Sequence, residues 1–109
     1  MTRLDVIRMI GDVITDIDVA RGSLLPDDPS RRRLDDLRIL LDDRQRTLSK
    51  AAFDDTTQQF QDSANKLQAV NDQIKGSIQQ VDKIVTVLSN IVTFLDAVTS
   101  LMTTIGPFV

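Results

Sequence analysis

Apolar residues recur at every seventh position from Phe60 to Met102: Phe60, Leu67, Ile74, Val81, Leu88, Leu95 and Met102. A companion row, Ile84, Ile91 and Val98, lies three residues on. Steps of three, four and seven put such residues on one face of an α-helix, whereas a half-buried strand alternates faces residue by residue. The pattern predicts one long amphipathic helix over about 56–105. Gly76-Ser77 is where it invites a break, and Ser77 with Gln80 even fits a capping box. The row nevertheless crosses Gly76 in phase and no loop residues surround it. A continuous helix is the favoured reading, and a break at Gly76 the alternative.

Two shorter helices precede it. Over about 2–21, Leu4, Ile7, Ile10, Val13 with Ile14, Ile17 and Ala20 make one apolar face. Gly22 follows as a helix stop, and the stretch 22–29 holds two prolines and two aspartates, the chemistry of a loop. Asp28-Pro29 reads as an N-cap followed by proline in the first turn. The second helix, about 29–51, carries Leu34, Leu41 and Leu48, widened by Leu37 and Leu40. Its other face is expected to be an ionic ladder of Arg31–Asp35, Arg38–Asp42 and Asp42–Arg46 at i,i+4. The row of this helix projects forward onto Asp55 and Asp62, not Phe60. The phase slip and the run Asp54-Asp55-Thr56-Thr57 predict a turn near 52–56.

The fold class expected is therefore all-α. It is a helical bundle or hairpin of three helices, four if Gly76 breaks the last, with a long heptad-patterned C-terminal helix, in a single domain over 1–109.

Composition narrows the chemistry. The chain lacks His, Cys, Trp and Tyr, and every acidic residue is Asp. Without His or Cys there is no Ser-His-Asp triad, imidazole base, thiol nucleophile or thiolate metal site. Four scattered glycines, Gly11, Gly22, Gly76 and Gly106, make no phosphate-cradling loop. The Asp pairs lack the spacing of a calcium loop. No enzyme activity, cofactor or metal is expected. Net charge is −3 and is spread evenly, so nothing suggests nucleic acid. Arg3, Asp5, Arg8 and Asp12 interrupt any apolar signal-peptide core, which implies a cytoplasmic protein or export by a signal-independent route.

Two features remain as candidate contacts. Arg31, Arg32 and Arg33 stand in a first helical turn, where positive charge opposes the helix dipole. They are a candidate grip on an anionic partner, though Asp27, Asp28, Asp35 and Asp36 flank them. The second feature is 84–105, where Asp96 is the one charge and the outer positions are mostly Thr and Ser. A water-facing helix normally carries charge there, so this face is expected to be covered by a neighbouring helix, a second copy or a bilayer. Asn71, four residues after Leu67, falls on the seam, where a buried amide can fix register.

The function expected is accordingly a non-enzymatic interaction or assembly protein. It would self-associate, or dock a helical partner, through Phe60, Leu67, Ile74, Val81, Leu88, Ile91, Leu95, Val98 and Met102. The alternative is a membrane-active protein using 84–105, a segment long enough to span a bilayer.

Overall fold

A computed structural model describing residues 1–78 and 83–105 resolves the chain into four α-helices. They are α1 (Arg3–Gly22), α2 (Pro29–Lys50), α3 (Gln58–Ser77) and α4 (Ile84–Thr104), with no strand among the described residues. The first three begin where the sequence supplies a cap. Thr2 Oγ1 accepts from the Asp5 amide and the Asp5 carboxylate accepts from the Thr2 amide, a complete capping box. The Asp28 carboxylate accepts from the Ser30 amide at 2.9 Å, with Pro29 opening α2. Thr57 Oγ1 accepts from the Phe60 amide at 3.2 Å.

α1 and α4 each pack against both α2 and α3, so the order around the bundle is α1, α2, α4, α3. Contacts fix the directions. Arg21–Asp35 at 2.7 Å, Arg38–Asp18 at 2.9 Å and Gln45 Nε2 donating to Ile7 O at 3.0 Å show α1 and α2 antiparallel. Gln61 Nε2 donates to Met1 O at 2.6 Å, and Lys75 lies 3.9 Å from Asp12, so α1 and α3 run parallel. Six residues separate α3 from α4, a reach of at most ~20 Å. A twenty-residue helix is ~30 Å long, so α4 must return alongside α3.

The link from α2 to α3 crosses the bundle diagonal and is tied to the start of α1. Arg3 donates from its guanidinium to Ala51 O at 2.6 Å and from its amide to the Asp55 carboxylate at 2.8 Å. The same guanidinium lies 5.8 Å from the centre of the Phe53 ring, which in turn tilts against Phe60 at 5.6 Å.

The core takes Ile10, Val13 and Ile17 from α1, and Leu34, Leu41 and Leu48 from α2. α3 adds Phe60, Leu67 and Ile74, and α4 adds Ile91, Phe94, Val98 and Leu101, all essentially solvent-free. Three expectations need correction. The long helix over 56–105 is two helices. A fold-back lets α2 and α3 cover the apolar face of α4, which a straight helix would leave bare. The buried face of α1 is rotated: Val6 and Met9 are buried, while Leu4 is 57% exposed and Ile7 half-buried. Apolar residues in α1 are wide enough to offer two stripes, and only packing against α2 and α3 chooses one. Finally, the ladder on α2 keeps Asp42–Arg46 at 2.8 Å, but Asp35 and Arg38 turn to Arg21 and Asp18 of α1. An i,i+4 rule sees partners on its own helix and none on a neighbour.

Candidate functional site

The seven-residue row is consumed inside the chain. Phe60, Leu67, Ile74, Leu88, Ile91 and Val98 are buried in the bundle, and Leu95 and Met102 pack half-buried against it. Val81, the row's centre, and the Ser77–Gln80 capping box fall on or next to 79–82, outside the described residues. Ser77 Oγ itself donates back to Gln73 O and Ile74 O at 3.2 Å.

What α4 shows to solvent is its other side. Val85 is 78% exposed, and Thr86, Ser89, Thr93, Asp96, Thr99, Ser100, Thr103 and Thr104 are exposed with it. Four of the hydroxyls are turned inward along the helix. Thr93 donates to Ser89 O, Thr99 to Leu95 O and Thr103 to Thr99 O at 3.0 Å, and Thr104 to Ser100 O at 2.9 Å. Those donors are spent on the helix's own carbonyls, so the face offers solvent fewer polar groups than its composition suggests. α2 is the contrast: Arg32, Arg33, Asp36, Asp43, Arg46 and Lys50 are all exposed. The cover expected over the outer face of α4 is not supplied by the described residues.

The arginine run divides. Arg31 is half-buried and donates to Leu24 O at 3.3 Å, tying the loop to α2. Arg32 and Arg33 are exposed and make no ion pair among the described residues. The run therefore does not converge on one spot.

A polar groove of about 500 Å³ lies between α1 and α3, lined by Asp5, Arg8, Asp12, Asn65, Gln68, Asn71 and Lys75 together with Met1 and Met9. Asn71 is 2% exposed and its Oδ1 has no hydrogen-bond partner among the described residues. One turn beyond Asp12, Asp16 has a buried Oδ2 without a partner. Burial pushes its carboxyl above the usual range; Lys75 pulls the other way and Asp12 adds to the rise. Sequence reasoning passed over Asp16, yet Asp12 and Asp16 stand one helical turn apart, a like-charge spacing that could have marked it. No cluster of three possible metal ligands occurs among the described residues. No family model, curated protein or solved structure matches this chain.

Proposed function

We propose that this is a non-enzymatic helical interaction protein whose docking element is α4, and that it self-associates or receives a helical partner on the outer side of that helix. The observation that carries this reading is the face itself: exposed along α4, with Asp96 its one acid and four threonine hydroxyls already satisfied. Small side chains allow a partner helix to come close, and little charge must be stripped of water to admit it. Val85, Ser89, Val92, Thr93 and Asp96 are the residues expected to meet the partner.

Light scattering over a concentration series tests this. The wild type is expected to exceed the monomer mass. Thr93→Arg, an exposed change that leaves the core untouched, is expected to return it to monomer with unchanged helix content. A wild type that is monomeric throughout and retains no helical partner overturns the reading.

One observation favours a second reading. α4 has 21 residues and a window of mean hydropathy 1.7, of which 39% is buried in the bundle. Its length of ~31 Å matches the hydrocarbon thickness of a bilayer. In this reading α4 leaves the bundle and enters lipid, Asp96 costing about 2.5–3.5 kcal/mol on insertion. It requires dye leakage from liposomes that disappears when 84–109 is deleted.

A further inference from the structure

The polar groove of about 500 Å³ between α1 and α3 has a floor and two sides. Asp5, Arg8 and Asp12 of α1 and Asn65, Gln68 and Lys75 of α3 are exposed along it, while Met9 and Asn71 are buried beneath them. Asn71 stands between Leu67 and Ile74 on the buried face of α3, at a position where an apolar side chain would need no hydrogen bond. Its Oδ1 finds no partner among the described residues. An amide kept to fix helix register would bond a mate across the seam, and this oxygen does not. A buried polar group left unpaired opposes folding. A molecule seated in the groove, meeting the amide there, accounts for it.

The charges beside it are also poorly matched. Arg8 and Asp12 are four residues apart, the spacing at which unlike charges pair along a helix. Yet Asp12 lies 3.9 Å from Lys75, and Arg8 makes no ion pair among the described residues. The Asp5 carboxylate is spent on the Thr2 amide. Because α1 and α3 run parallel and Asp12 is level with Lys75, Arg8 and Asn71, one turn earlier on each helix, are level with one another. Over a single turn the groove thus presents a base, an amide and an acid. Four residues of helix rise ~6 Å, and the charged ends of a dipeptide stand at most ~7 Å apart.

We propose that this groove binds a short zwitterionic peptide, with Arg8 taking its carboxylate, Asp12 its ammonium group and Asn71 the peptide group between them. A side-chain amide offers both a donor and an acceptor, which are what a peptide group takes. Met9 supplies an apolar wall. α4 lines no part of the groove, so the site is separate from the docking face proposed above and stands or falls without it.

The test titrates the isotope-labelled full chain with glycylglycine and follows it by NMR. The Asn71 side-chain amide and the backbone amides of Met9 and Gln68 are expected to shift saturably, with half-saturation at about 1 mM for so small a ligand. Cyclic glycylglycine keeps the peptide groups and has neither charged end; acetate and ethylamine each have one. All three are expected to bind at least about tenfold more weakly. Arg8→Gln and Asp12→Asn, both at exposed positions, are each expected to raise the half-saturation by about tenfold. Asn71→Leu is expected to abolish the saturable shifts and to raise the urea midpoint, because an orphan amide leaves the core. Shifts that never saturate overturn the proposal. So does equal binding of acetate or ethylamine, a half-saturation unchanged in Arg8→Gln and Asp12→Asn, or saturation that survives Asn71→Leu. Should Asn71→Leu fail to fold, the two exposed variants decide the matter.

Discussion

The bundle is made of two helical hairpins built in opposite ways. Between α1 and α2, α1 runs through Gly22, the residue expected to stop it, and ends at Ser23; Pro26 then stands in the loop, Asp28 caps α2 and Pro29 opens it. Between α3 and α4, residues 78–83 include Asp82 but neither glycine nor proline, and Lys83 makes no side-chain cap at the start of α4. The outer surfaces differ too, α2 being charged along its length and α4 nearly uncharged. The first hairpin is specified locally. The second is held by the apolar faces that α3 and α4 cover in each other and against α1 and α2.

The largest effect expected from breaking the second hairpin comes from its core. Phe94 is fully buried in α4, and Phe94→Ala is expected to cost about 3–5 kcal/mol in urea denaturation. Net stability of a small domain is about 5–15 kcal/mol, so this change removes a large part of it. A loss below about 1 kcal/mol would mean that α4 contributes little to the folded state, and the packing of α2 and α3 against it would need another account.

The contrast between the two helix starts is sharpened by one substitution made twice. Asp28→Ala removes the carboxylate that caps α2 and is expected to cost about 1 kcal/mol. Lys83→Ala removes no cap and takes a positive charge from a helix N-terminus. Its urea midpoint is expected to stay level or rise slightly. Equal losses at both positions would contradict the claim that α4 begins without local support.

This asymmetry also explains what was legible in the sequence. The all-α class, the loop at 22–29, the Asp28 cap and the turn before α3 could be read because particular residues carry them. The break between α3 and α4 was legible only as an alternative at Gly76-Ser77, since Ile74, Val81 and Leu88 continue the row in phase across it. The row residues were recognised as buried, but sequence periodicity does not say whose surface buries them. Leu88, Ile91 and Val98 find their cover within the same chain. For the outer face of α4, composition alone identified the unusual lack of charge. The satisfied hydroxyls of Thr93 and Thr99 needed coordinates.

A smaller effect is expected at Gly76, the residue where a break in the row was weighed. It is exposed within α3, and a Cβ added there meets nothing within 4 Å. Gly76→Ala is expected to stabilise the protein by about 0.5–1 kcal/mol, through helix propensity and a less flexible unfolded chain. A loss in thermal or urea stability would show that Gly76 serves the turn itself, and would return the second hairpin to the locally specified kind.

The smallest effect expected lies on the seam between the hairpins, where Asp16 of α1 faces Lys75 of α3. Desolvation raises its carboxyl above 3.8 in the folded chain, Lys75 opposing and Asp12 assisting. A raised acid binds its proton more readily when folded, so the ionised group costs stability above its folded value. That cost fades as pH falls toward 3.8. Asp16→Asn is therefore expected to raise the urea midpoint at neutral pH and to lose that advantage in acid. Asp5, in the same helix, has the opposite sign. Its bonds to the Thr2 amide and hydroxyl hold it below 3.8, so its contribution is present above that value and is lost as pH falls through the lowered one. Urea midpoints for Asp16→Asn and Asp5→Asn across the acid range separate the two. If Asp16→Asn is neutral at every pH, the charge at the seam is solvated. The α1–α3 contact, one of the two junctions at which the hairpins meet, would then be wetter and looser than its burial implies.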